Sequence, residues 1–574
     1  MKTPFKVLLL VLPLLILPAA VQAQFTFTTN ADNTITITGY TGLGGDVVIP
    51  NTTNGFPVTL IGTQAFYWCT IVTSIVLSTN ATSIGAEAFR HCKQLGSITI
   101  PESVTNIGAW AFEYCVTLMS IDLPHSTTML GSNAFAWCTS LTSIAIPDSL
   151  TYIPSNAFAF CSSLTNIVIP ASVTNIGSSA FSRCSSLASL TLPTSVRSIG
   201  HHAFSSSALT SLSIPIGVTA IASNTFYLCS SLTNVVIPNT VGDIGPLAFY
   251  GCSALKQISL PSGVTNIGQA AFAGSALGSV TIPSQVVNVS SGAFYGCSVL
   301  SGVSIPDSVT TLGDHAFALC PLLSTVRIPS GATNIGVAAF AGCDSLAEIV
   351  VDPLNTKYTS VNGVLFNTNQ TTLLEYPGGQ RGVYDIPTTV TEVGDSAFAG
   401  CRWLTGVNIP LTVTTLDTGA FDTCPSLTNI VIPCSVSHMG DSVIADCPDL
   451  EGVYFCGNAP SFGASPFAND PNLTIHYLPG TTAWGALNLG RPVALWTLPY
   501  PVILGNTRFG VQTNVFGFVV SWATNLNVVV EARTDLAISN WSPIKTNALA
   551  GGWFYFTDPD WSNHPTRFYR IRSP

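Results

Sequence analysis

A phrase of 23 residues governs this chain. The stretch IPASVTNIGSSAFSRCSSL, Ile169 to Leu187, recurs with small edits along most of the sequence, usually with Cys three residues after its Phe. Set in register, the copies give Phe66, Phe89, Phe112, Phe135, Phe158, Phe181, Phe204, Phe226, Phe249, Phe272, Phe294, Phe317 and Phe340. After an interruption they resume at Phe398 and Phe421, with Ile444 in place of the next Phe. The step is 23 residues, shortened by one at Phe226 and Phe294. A fixed period in this range means a solenoid with one coil per repeat, so the 574 residues do not divide into ordinary domains.

Within a coil the apolar positions alternate, as in Leu164, Ile167 and Ile169 before Pro170, then Val173 and Ile176 before Gly177. This predicts two short strands with a Pro corner between them. From Gly177 to Cys184 the alternation stops, which predicts a helical or 3₁₀ turn that tucks Phe and Cys inward. One coil cannot bury these residues alone; stacked coils line them into internal columns. The expected fold is mainly β: a solenoid of about sixteen 23-residue coils with short strands and 3₁₀ or helical turns, plus a small C-terminal β-sandwich-like domain.

The phrases LTSIAIPDSLTYIPSNAFAFCSSL from Leu141 and LTNIVIPASVTNIGSSAFSRCSSL from Leu164 resemble BspA-like leucine-rich repeats of secreted bacterial surface proteins. The resemblance covers roughly Phe56 to Leu450. It implies a secreted or surface protein associated with adhesion, and it implies no catalytic residues. The chain departs from the pattern at Ser207 and Ser275, which replace Cys, and at Ile444.

The expected organisation is a signal peptide over 1–23, an N-terminal β cap over 24–58, the solenoid over 59–449, a C-terminal cap over 450–498 and a C-terminal β domain over 499–574. The leader carries Lys2 and Lys6, an apolar run from Val7 to Leu17 and the small-x-small site Val21-Gln22-Ala23. No later stretch reaches the roughly 18 to 20 apolar residues of a spanning helix, so no membrane span is expected after cleavage. The insert over 352–387 reads as strands or hairpins around Asn367-Thr368-Asn369-Gln370, a modified double-length coil. The C-terminal domain alternates at period two through FGFVVSWATNLNVVVEARTDL.

Only 8% of residues are charged while 47% are apolar, so polarity must come from Ser, Thr, Asn and Gly. The net charge of −10 is spread along the chain without a Lys/Arg run, which argues against nucleic acid as a partner. Fourteen of the 16 Cys occupy the position three after Phe, where they read as buried thiols in the core. Cys434 and Cys456 break the period, and on adjacent coils they are predicted to form a disulfide. One Cys per coil is not the clustered ligand set that zinc needs, and the eight His are scattered. No G-x-S-x-G elbow, H-E-x-x-H or phosphate loop occurs, so neither an enzyme nor a cofactor is expected.

The position two after Phe carries Trp68, His91, Tyr114, Trp137, Phe160 and Arg183 in six successive coils, then Ser206, Leu228, Gly251, Gly274 and Gly296. Tyr227, Tyr250 and Tyr295 begin a partial column one residue earlier. Two readings stand. The side chains cover the turn and shield Phe and Cys, or they form a recognition face for an extracellular protein or polysaccharide, since Trp, Tyr and Arg dominate interface energetics. The functional expectation is a secreted or cell-surface binding protein of adhesin type. The alternative is a structural spacer that retains partners through its C-terminal β domain.

Overall fold

The computed structural model describes residues 24–574 apart from 486–488, 497, 499, 505–508, 513–514, 523–525, 537–539, 565 and 574, so the expected signal peptide lies outside the described residues. The chain divides into two compact units, Met1–Ala276 and Leu277–Pro574.

In the first unit the 23-residue period becomes in-register parallel pairing. Ser120–Asp122, Ser143–Ala145 and Asn166–Val168 stack so that Ile121, Ile144 and Ile167 lie opposite one another. The second strand of each coil does the same, with Tyr152, Asn175 and Ser198 aligned. Equal repeat lengths put like residues in one column, and alternation then sends Ile inward and the polar residue outward. Hydroxyls supply the expected polarity: Ser126, Ser172 and Ser195 each donate to a carbonyl of the preceding coil at 2.6–2.7 Å. At the start of the unit Phe25–Thr29 pairs antiparallel with Ile35–Tyr40, which pairs parallel with Phe56–Ile61. Tyr40 there stacks on Phe66 at 5.2 Å, closing the Phe column.

The second unit repeats this construction through Thr325–Ile328 on Glu348–Val351 and Asn429–Ile432 on Gly452–Phe455. Parallel stacking continues to Thr474–Tyr477 and Val493–Leu495. Phe467, 23 residues after Ile444, is buried in that continuation. The insert is a meander of Tyr358–Val361, Val364–Asn367 and Thr372–Glu375, whose last strand rejoins the parallel column at Glu392–Val393. Tyr376 takes the place of the repeat Phe and packs on Phe398 at 5.0 Å. These additions raise the count to about 19 coils, against the sixteen expected. Beyond them, Val502–Leu504, Val515–Ser521, Gly510–Gln512 and Trp553–Asp558 make one antiparallel sheet, and Ser542–Ala548, Asn527–Arg533 and Phe568–Arg572 make another. Phe518, Val520, Val528, Val530 and Phe556 share their core.

The expected helical turn is not formed. Among the described residues the one helix is a 3₁₀ turn at Trp561–Asn563, and no helix is long and apolar enough to cross a membrane. In the Phe segment successive N–H groups alternate in direction. Ala65, Tyr67 and Cys69 donate back three residues, whereas Gln64, Phe66 and Trp68 donate to Ala86, Ala88 and Arg90 of the next coil. That alternation requires left-handed backbone at Gln64 and Trp68, with φ of 58° and 59°, which a right-handed helix cannot contain.

Candidate binding surface

Each Phe lies flat on the Phe of the next coil. Phe112 and Phe135 are 5.3 Å apart and 2° from parallel, and both are fully buried. Burying one such ring stabilises the fold by roughly 1.5–3 kcal/mol, and the column multiplies it. The Phe carbonyl serves two donors. Phe66 accepts from the Cys69 N–H at 3.0 Å and from the Cys92 thiol of the next coil at 3.1 Å. Cys115, Cys138, Cys161 and Cys184 repeat the thiol bond at 3.1–3.2 Å. Burial pushes these thiols well above their ordinary pKa, that of Cys161 to about 12. Ser207 and Ser275 are buried members of the same column, and the Ser207 hydroxyl lies 3.4 Å from the Cys229 thiol of the next coil.

Two residues past each Phe the backbone is left-handed, and the side chain is thrown outward. Trp68, His91, Tyr114, Trp137, Phe160 and Arg183 all adopt φ between 58° and 63°. Their N–H groups donate to the next coil at 2.7–3.0 Å, which fixes the spacing of the side chains. The six groups form one continuous stack. Centroids are 4.3 Å apart from Trp68 to His91, 4.5 Å from His91 to Tyr114, 5.2 Å from Tyr114 to Trp137 and 3.8 Å from Trp137 to Phe160, with planes within 9–23° of parallel. The Arg183 guanidinium closes the stack 5.1 Å from the Phe160 centroid.

His91, Tyr114, Trp137 and Phe160 therefore carry a planar group on both faces, and only their edges meet solvent. Trp68 and Arg183, at the ends, are exposed. Burial, then the neighbouring Arg90 and Lys93, hold the His91 imidazole below its usual pKa, which favours the neutral ring. Arg90 pairs with Glu87 at 3.0 Å and with Glu113 at 2.5 Å. Lys93 places its ammonium 5.2 Å from the Trp68 centroid. The exclusive use of ring faces within the stack was not readable from residue types alone.

Left-handed backbone is disfavoured for bulky side chains and free for Gly. At this position Gly251, Gly274, Gly296, Gly342 and Gly400 occupy later coils, with φ between 66° and 72°. The first six coils thus place the largest side chains where the backbone accepts Gly most easily. A shorter stack one residue earlier joins Tyr227 to Tyr250 at 5.1 Å.

Cys434 and Cys456, the pair expected to bridge, lie on adjacent coils. Parallel register, with Ile432 opposite Phe455, sets Cys434 level with Gly457 and Cys456 level with Pro433, so the two are diagonal neighbours one row apart. Both are half-buried and border an apolar cavity of about 570 Å³ that also touches Leu411, Leu478, Trp496 and Leu504. Burial, then the nearby Cys434, raise the Cys456 thiol to about 11. Among the described residues no group of three or more His, Cys, Asp or Glu is placed to hold a metal ion.

The sequence profile described as BspA type Leucine rich repeat region (6 copies) matches residues 59–187, 151–277, 268–378 and 383–483. No curated protein matches the chain. Among solved structures, a leucine-rich repeat protein from Bacteroides ovatus is 25% identical, over 72% of this chain and 94% of its own, with a TM-score of 0.46. A leucine rich cell surface protein from Faecalibacterium prausnitzii is also 25% identical, over 76% and 94%, with a TM-score of 0.33. The leucine-rich repeat protein of T. pallidum is 28% identical, over 41% and 88%, with a TM-score of 0.27.

Proposed function

The chain belongs to the BspA type leucine-rich repeat family, and from that premise we propose that it is a secreted or cell-surface binding protein of adhesin type whose recognition face includes the Trp68–Arg183 stack. Repeat scaffolds of this class are interaction modules, and the proposal assigns the interaction to one row of side chains. The observation that carries it is the use of Trp, His, Tyr, Trp, Phe and Arg at six left-handed positions where five later coils have Gly. Bulky residues held in such backbone cluster at functional sites. A stack that only shielded Phe and Cys would be redundant, because Phe249 and Phe272 are fully buried beneath Gly251 and Gly274.

The test follows from the same comparison. Trp68, Tyr114 and Trp137 changed together to Gly adopt the residue that later coils already use, so the backbone is relieved while the stack is lost. Purified protein from Gln24 onward is applied to extracellular matrix proteins and a glycan array. Saturable retention lost in the triple Gly variant, with thermal unfolding displaced by only a few degrees, supports the proposal. Retention equal to the parent protein rejects it.

A further inference from the structure

Resting on that reading, we infer that the stack receives an extended acidic protein segment, with carboxylates seated at Lys93 and Arg183. The ring geometry excludes the alternative of sugar rings stacked on aromatic faces, because every interior rung has both faces covered by its neighbours. What remains are ring edges, the positive rim of the aromatic quadrupole, which attract carbonyl and carboxylate oxygens. The indoles of Trp68 and Trp137 and the phenol of Tyr114 add polar donors to that row.

Charge points the same way. Arg90 is paired with two carboxylates, Glu87 and Glu113, whereas among the described residues neither Lys93 nor Arg183 forms an ion pair. Each is exposed and rests against a terminal ring, Lys93 against Trp68 and Arg183 against Phe160. The protein as a whole is acidic at −10, so two uncompensated cations at the ends of one rigid stack form a local feature of opposite sign. Ser206 follows Arg183 at the same position, and its small side chain leaves the outer side of the guanidinium open to a planar carboxylate.

The spacing sets the ligand. Lys93 and Arg183 belong to coils four steps apart, and the Lys93 ammonium reaches back over Trp68, one step further, so the two cations stand roughly 19–24 Å apart at about 4.8 Å per step. An extended peptide covers that distance in about six to seven residues, and a six-residue separation keeps both acidic side chains on the same side of the strand.

The test uses immobilised peptides with Glu at the first and seventh positions, with Gln at both, with Lys at both, and with Glu at the first and third, alongside polygalacturonate and dextran. The mature full-length chain is the analyte. The inference expects the one-and-seven Glu peptide to bind best, with affinity falling steeply as salt is raised, and the Gln analogue to lose roughly tenfold or more. The double charge reversal Lys93→Glu with Arg183→Glu, at two exposed positions, should transfer preference to the Lys peptide. Equal binding of the Glu and Gln peptides, or no response to the reversal, overturns it. Polygalacturonate or dextran bound more tightly than the Glu peptide, and lost in the triple Gly variant, overturns the ligand assignment while the stack stands as a binding face. Matrix-protein retention unchanged in the triple Gly variant overturns the reading on which it rests.

Discussion

Arg491 donates from Nε to the carbonyl of Phe467 at 3.0 Å, the place that the Cys447 thiol holds on Phe421 at 3.3 Å two coils earlier. The Phe column thus ends on a guanidinium where the interior coils use a thiol. Asp470 stands at the Cys position of that last coil, fully buried, and accepts the Cys447 N–H at 2.7 Å. Its carboxyl is pushed to about 6, first by burial. Terminal repeats need such atypical residues because no further coil satisfies their exposed groups. Arg491→Ala should leave the Phe467 carbonyl without its donor and destabilise the terminal coils by about 1–3 kcal/mol. Hydrogen exchange should report faster opening over Ser461–Phe462 and Thr474–Tyr477, with the first unit unchanged.

The thiol column should be chemically silent. Thiolate is the reactive form, and burial raises these groups far from it. Native protein treated with iodoacetamide near pH 8 should take up label at the half-buried Cys69 and none at the buried positions of the column. Unfolding without reductant should expose the column thiols as well. Intact mass and peptide mapping give both counts, and label on Cys138 or Cys161 in the native state would contradict the packing. Cys138→Ser should cost only about 1 kcal/mol, the size of one hydrogen bond, since Ser207 is already buried at the equivalent position of the column.

Glu375 predicts a pH dependence confined to the second unit. In regular coils the Phe N–H donates to a carbonyl one coil on, as Phe66 does to Ala88. At the insert the Glu375 carboxylate instead receives the N–H groups of Ala339 and Phe340, and burial lifts its pKa from 4.5 to about 8. A carboxyl raised on folding binds more protons in the native state, so its stabilisation is complete below about 4.5 and is lost as pH rises through about 8. Moving from pH 5 to pH 8.5 should therefore weaken the second unit, by on the order of 3 kcal/mol. Glu375→Gln should flatten most of that slope in urea unfolding followed at each pH. An unchanged slope would assign the dependence to other acids.

The Phe period made the solenoid legible because equal repeat length and parallel register are the same fact viewed along the chain and across it. Two coils are harder to see: Tyr376 replaces the Phe within the insert, and Phe467 lies past the Ile444 replacement. The six stacked residues were found from their spacing, but the sign of φ beneath them was not. A signal existed, since Gly at that position in five later coils marks left-handed backbone. Alternation of the N–H groups between coils has no local signature, so the segment reads in sequence as a helical or 3₁₀ turn. The Arg491 contact depends on how the chain folds back after the last coil, which the repeat pattern does not encode.

The left-handed column separates two glycines that look alike in sequence. Gly274 and Gly400 both lie two residues after a Phe, with φ of 67° and 72°. A Cβ added to Gly274 would meet only the Gly251 backbone at 3.7 Å, an ordinary contact. At Gly400 it would meet the Gly342 nitrogen at 2.7 Å and Cα at 2.8 Å, and backbone cannot move aside as a side chain can. Gly274→Ala should therefore cost only the backbone preference, about 1 kcal/mol. Gly400→Ala adds a steric term and should cost roughly 2–4 kcal/mol, seen as a lower urea midpoint for the second unit. Equal costs at the two sites would mean that the coils after the insert are not seated on Gly342 as closely as the structure places them.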